Sequence, residues 1–169
     1  HHDNGPLGSK SYDRAEERRV ELLKASGFNA IRCSHNPPAP ALLDACDRLG
    51  ILVIDETFDM WQYPKNPSDY SLFFEKWWKK DIESMILRDR NHPSVILWSI
   101  GNEIPGMDSP EVVKTSKIQS DFVRTSDPSR PVIAAVNGIN PAKDQFFSTL
   151  DIGGYNYGSG GGGIRDSIF

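Results

Sequence analysis

The chain has 169 residues, a formal net charge of −4 and an isoelectric point near 5.5. That is one domain with room for a real core, but short of the roughly 250 residues of a complete (β/α)₈ barrel. No basic footprint points to nucleic acid, no apolar run approaches the ~20 residues of a membrane span, and no signal peptide opens the chain.

His1-His2-Asp3-Asn4-Gly5-Pro6-Leu7-Gly8 comes first. Adjacent strand residues point to opposite faces, so His1 and His2 cannot both enter one barrel mouth, and a His-x-His metal spacing is absent. Ser11 or Asp13 can cap a helix running to about Ser26, with Leu22 and Leu23 on its apolar side and Gly27 as its stop. Phe28-Asn-Ala-Ile-Arg-Cys-Ser34 reads as a strand. Alternation puts Ala30, Arg32 and Ser34 on one face and Ile31 and Cys33 on the other. An arginine facing a barrel interior needs an anionic partner, because an unpaired buried charge is very costly.

Ala39 to Arg48 reads as a short helix ended by Gly50, and Ile51 to Ile54 as the next strand, with Asp55 and Glu56 at its end. The loop from Thr57 to Asp69 holds Trp61, Tyr63, Pro64 and Pro67. Trp61 there is either a platform for an apolar sugar face or a plug that seals the loop onto the core. Asp69 to about Arg90 has helical spacing in Phe73, Trp77, Ile82, Met85 and Ile86. Cys33 and Cys46 form neither a metal spacing nor a disulfide framework, and are expected to be buried, unbridged thiols.

Val95 to Ile100 is a continuous apolar run, suited to a strand buried on both faces. Gly101, Asn102 and Glu103 end it abruptly, before Pro105. A carboxylate at the carboxyl end of a parallel strand is where α/β barrels keep their chemistry. Alternation gives Glu103 the face of Gly101, Ser99 and Leu97, small enough to leave room for a substrate; a bulge would break that parity. Taken alone, Glu103 reads equally well as a capping or ion-pair carboxylate. Ser109-Pro110-Glu111 starts a helix running to about Thr125, Val132 to Val136 is a strand, Ala142 to Thr149 holds a short helical piece, and Asp151 to Tyr157 is a last strand. Residues 158–169 are a glycine-rich tail or linker outside the pattern.

Strand alternating with helix predicts a parallel α/β fold. The motifs narrow this further. His2-Asp3-x-x-Pro6-Leu7-Gly8, Phe28-Asn-Ala-Ile-Arg-Cys-Ser-His-Asn-Pro37, Cys46-Asp-Arg-x-Gly50, Asp55-Glu56, Arg88-Asp-Arg-Asn-His-Pro-Ser94 and Trp98-x-x-x-Asn-Glu103 resemble, in that order, glycoside hydrolase family 2. The loop Asp55 to Trp61 looks most like bacterial β-galactosidase-type members. The resemblance covers residues 1–157 and implies a partial (β/α)₈ TIM barrel and a retaining β-glycoside hydrolase acting on a β-linked glycoside. Glu103 would be the general acid/base and Asn102 the ligand of the sugar's 2-hydroxyl. Arg32 would orient the nucleophile, His35 would contact sugar hydroxyls, and Tyr157 would hydrogen-bond the nucleophile. His2 and Asp3 would line the first-strand pocket, and Trp61 would join the substrate site.

The family's nucleophile glutamate, at the end of strand seven, has no counterpart in the recognised pattern. A Glu-x-His that would hold magnesium is replaced by Asp59-Met60-Trp61, so no metal or other cofactor is expected. Two readings follow: an enzyme segment with one of its two carboxyl groups, or an inactive carbohydrate-binding or assembly fragment. Open strand edges would favour self-association or pairing with the rest of a barrel.

Overall fold

The computed structural model describes residues 10–138 and 140–157. The stretch holding His2 and Asp3 and the glycine-rich tail lie outside them. Five strands, β1 (Ala30–Arg32), β2 (Leu52–Glu56), β3 (Val95–Asn102), β4 (Val132–Asn137) and β5 (Ile152–Asn156), lie in chain order in one sheet, and every neighbouring pair is parallel. Helices α1 (Asp13–Ala25), α2 (Pro40–Leu49), α3 (Ser71–Asp89), α4 (Pro110–Ser126) and α5 (Asp144–Phe147) alternate with them. Strand order equal to chain order is the topology of a barrel wall rather than of a doubly wound sheet. The fold is thus the expected partial TIM barrel. Among the described residues, β1 and β5 each have a single neighbour, so both edges of the wall are open.

The local signals act as expected at several ends. Gly50 closes α2 with φ 70°, which glycine adopts without steric cost. The Ser109 side chain accepts from Val112 N at 3.3 Å, and Pro110 opens α4. Ser11 does not cap α1. Tyr12 stands at the N-cap without a side-chain bond, and the Ser11 hydroxyl donates to Glu16 instead. The buried face of α3 includes Ile82, Met85 and Ile86 as expected, but in its first turn Phe74 is buried and Phe73 is exposed. Phe74 stacks near Trp61 and Trp78, and such burial contributes about 1.5–3 kcal/mol per large apolar side chain. Cys33 and Cys46 are both buried and unbridged, and burial pushes the Cys46 thiol up to about 12. None of the described helices is long and apolar enough to cross a membrane.

The faces of the wall follow from β2. Val53 and Asp55 point to the helices and are fully buried, so Leu52, Ile54 and Glu56 face the concave side. Asp55 meets Asp89 at the end of α3, and Asp89 is forked by Arg88 at 2.6 and 2.7 Å. No N–H or O–H of the described residues reaches either Asp55 oxygen. Burial first, then the facing Asp89 carboxylate, pushes the Asp55 carboxyl up to about 9. The facing carboxyls therefore hold on to a proton above the range where an isolated carboxyl loses it. An unfolded Asp releases its proton near pH 3.9. Between about pH 4 and 9 the unfolded chain binds fewer protons than the folded one, so this group makes stability fall as pH rises, by at most about 1.4 kcal/mol per pH unit. Urea unfolding at pH 5 and pH 8 is expected to show that fall, and Asp55→Asn to flatten most of it. An equal slope in the variant would contradict the shared proton.

Candidate active site

The carboxyl ends of the strands carry one connected polar cluster. Arg32, from β1, donates from Nε to Glu56 Oε2 at 2.9 Å, from NH2 to Asn102 Oδ1 at 2.8 Å, and from NH1 to Asn156 Oδ1 at 3.1 Å. The anionic partner that Arg32 required is Glu56, which is fully buried. Ser99 donates to Glu56 Oε2 at 2.6 Å, and His35 Nδ1 lies 2.6 Å from Glu56 Oε1. Both Glu56 oxygens are thus engaged. A buried carboxylate held this way anchors Arg32 and His35 and is not free to attack a substrate.

Asn102 links this anchor to Glu103. Its Oδ1 accepts from Arg32 and from Asn156 Nδ2, each at 2.8 Å, and its Nδ2 donates to Asp59 Oδ1 at 2.9 Å. Asn156 Nδ2 also donates to Glu103 Oε1 at 2.7 Å. No described residue bonds the other Glu103 oxygen. Glu103 is half-buried and borders a cavity of about 390 Å³ with Lys65, Ile104, Asn137, Asn140 and Lys143. Its φ is 43°, a left-handed value that a non-glycine residue holds only when the surroundings impose it.

Strict alternation fails here. The register of β3 on β4 shifts between Ser99 and Asn102. Ser99 and Asn102, three apart, therefore both reach the cluster. Gly101 does not open the mouth: a Cβ there would fall 2.8 Å from Ile104 Cδ1 and 3.1 Å from Trp61 Nε1. Its missing side chain makes room for Trp61. Trp61 in turn is fully buried, donates from Nε1 to the Ile100 carbonyl at 2.9 Å and packs near Phe74 and Phe146. It is the plug that seals the loop, and the reading of Trp61 as a sugar platform is corrected.

The expected site residues divide accordingly. Arg32, His35, Asn102 and Glu103 come together. Tyr157 does not join them: its side chain is 84% exposed and no described contact ties it to the cluster. Asn156, one residue earlier, stands beside Glu103. Sequence reasoning missed Asn156, Glu56, Ser99, Asp59 and Lys65 as members of the cluster. The signal for Glu56 was present, since Arg32 demanded a carboxylate and Asp55-Glu56 ended the next strand.

Asp59 lies where a metal-binding carboxylate was considered. Burial works to raise its carboxyl, but hydrogen bonds from Lys65 and Asn102 outweigh it and hold the carboxyl below its usual range. Lys65 Nζ sits 2.6 Å from Asp59 Oδ1. The Lys65 ammonium already neutralises this carboxylate and competes with a cation for it, so Asp59 as held here suits a divalent cation poorly. A separate trio, Asp44, Asp47 and His92, could group around an ion, but His92 precedes β3 and so stands at the opposite end of the strands.

Comparison with known proteins gives the family of this barrel wall. Beta-galactosidase BoGH2A of Bacteroides ovatus is 44% identical over 93% of the chain. A putative beta-glucuronidase of Formosa agariphila is 39% identical over 83% of the chain. The crystal structure of a glycosyl hydrolase family 2 member from Bacteroides cellulosilyticus superposes with a TM-score of 0.90 at 60% identity, over 93% of the chain and 20% of that protein. The chain spans 22% of the Bacteroides ovatus protein and 14% of the Formosa one. Residues 1–156 match the domain described as "Glycosyl hydrolases family 2, TIM barrel domain". The chain belongs to glycoside hydrolase family 2, as part of that family's TIM-barrel domain.

Proposed function

We propose that this chain supplies the acid/base half of a retaining β-glycoside hydrolase site of β-galactosidase type. The observation that supports it best is Glu103 at the end of β3, with one oxygen fixed by Asn156 and the other directed to no described partner beside an open cavity. A general acid needs that arrangement: a held carboxyl with one oxygen left for the leaving group. Asn102, oriented by Arg32 and Asp59, takes the sugar's 2-hydroxyl, and His35 contacts a further hydroxyl. Tyr157, His2 and Asp3 complete the pocket once the rest of the barrel is in place. Trp61 is left out, because it is buried. Retaining hydrolysis needs a second carboxyl about 5–5.5 Å from the first. Glu56 and Asp59 are both occupied, so the nucleophile comes from outside the five described strands.

The preference for galactose rests on relatives named beta-galactosidase, among them proteins of Bacteroides ovatus and Enterobacter cloacae, against others named for glucuronides. Nitrophenyl β-galactoside, β-glucuronide and β-mannoside should be compared with the longest form of the protein that hydrolyses any of them. The galactoside is expected to lead by about tenfold or more in kcat/KM, an ordinary margin for pocket discrimination. A glucuronide preference would overturn the sugar assignment and leave the reaction class standing.

A further inference from the structure

We propose that Lys65 is a positioning residue for Glu103, acting through the peptide bond that joins Asn102 to Glu103. The proposal rests on the acid/base role of Glu103 given above. It begins with a backbone accounting. The N–H of that peptide donates to the Ala135 carbonyl of β4 at 2.7 Å. Its carbonyl, on Asn102, lies past the end of β2, whose last ladder pairing is Glu56 with Ser99. Beyond it the neighbouring loop gives Asn102 N–H an acceptor, the Phe58 carbonyl at 3.1 Å. The donor for the Asn102 carbonyl is the Lys65 ammonium, at 2.9 Å. A buried carbonyl without a donor would be costly, and Asn102 is buried.

The peptide plane is therefore held on both edges, by a strand on one side and by Lys65 on the other. Rotation of Glu103 about its N–Cα bond is measured from that plane. Fixing the plane supports the left-handed φ of 43° at Glu103, and so the direction its carboxyl takes. Lys65 itself is preset. Its own N–H and that of Asn66 donate to Asp69 Oδ2 at 2.7 and 2.8 Å, and Ser71 N–H donates to Asp69 Oδ1 at 3.0 Å, so the start of α3 anchors the lysine's backbone. Its Nζ is clamped to Asp59 Oδ1, the same oxygen that receives Asn102 Nδ2. One ammonium thus fixes both the backbone of Asn102 and the carboxylate that orients its side chain. Lys65 borders the same cavity as Glu103, so the clamp lies beside the reacting carboxyl.

Lys65→Met should be made in the longest form of the protein that hydrolyses aryl β-galactosides, with Lys65→Arg and Glu103→Gln as companions. Lys65→Met is expected to lower kcat about tenfold to hundredfold with little change in KM, as small misplacements of a catalytic group do. The loss should be larger for an alkyl than for a dinitrophenyl galactoside, because an activated leaving group has less need of a well-aimed acid. Lys65→Arg, which keeps a cation and N–H donors, should recover part of it. A crystal structure of Lys65→Met is expected to show Glu103 out of the left-handed region. If Lys65→Met loses equally on both substrates, or keeps Glu103 at its original φ, Lys65 does not position the acid. If Glu103→Gln leaves turnover intact, the acid/base reading itself fails, whatever Lys65 does. If Lys65→Met proves too unstable to purify, Asp59→Asn, which loosens the same ammonium, should give the same leaving-group pattern in weaker form; its absence would also overturn the proposal.

Discussion

Glu103→Gln is expected to lower turnover of an unactivated β-galactoside by about 10²–10⁴-fold, the usual worth of a positioned general acid. The fold should survive the change. Gln keeps a carbonyl oxygen for Asn156 Nδ2, which now reaches Glu103 Oε1 at 2.7 Å, and Glu103 is only half-buried. The melting temperature should therefore stay close to that of the parent while turnover collapses. Such a separation assigns the loss to proton transfer and not to the cluster. Arg32→Met would behave in the opposite way. It would strand the Glu56 carboxylate, which is fully buried, and breaking a buried pair costs about 3–5 kcal/mol. Its loss of activity would accompany a loss of structure.

The 169-residue chain by itself is expected to show background hydrolysis and to associate in solution. Chemistry gives the first half: the carboxyl groups beside Glu103 are taken by Arg32, His35 and Ser99 at Glu56, and by Lys65 and Asn102 at Asp59. The sheet gives the second. β1 and β5 are open edges among the described residues, and unpaired strand edges recruit other strands. The concave face adds to this, with Leu52 of β2 44% and Ile152 of β5 40% exposed. Association would cover both. Sedimentation and an aryl galactoside assay read the two halves on one sample. Adding a segment that carries the nucleophile glutamate should restore some activity. A monomer whose turnover depends on Glu103 would contradict both halves.

Much of the wall was legible because its signals are local. Gly50, Ser109 and Pro110 mark helix ends by steric and hydrogen-bonding rules that need no tertiary partner. β2, β3 and β4 carried apolar runs, and the alternation in β1 correctly put Arg32 and Cys33 on opposite faces. The errors arose where tertiary contacts decide. The shift in register between Ser99 and Asn102 cannot be read from alternation, so Gly101 looked like an opening when it is the seat for Trp61. Trp61 itself fitted two roles by composition, and its hydrogen bond to the Ile100 carbonyl decides between them. Asn156 was missed because its role rests on contacts with Asn102 and Glu103 that are distant in sequence. Lys65 had no signal at all: a lone lysine on a polar loop gains meaning only from the unpaired carbonyl it meets.

The proton-donor role of Glu103 is tested most directly by the dependence of kcat/KM on the acidity of the leaving group, in the parent and in Glu103→Gln, across alkyl, phenyl, nitrophenyl and dinitrophenyl β-galactosides. Loss of the acid should make the dependence steep: the dinitrophenyl substrate should stay within about tenfold of the parent, while the alkyl substrate loses about 10²–10⁴-fold. A loss of the same size on every substrate would contradict a proton-donor role for Glu103.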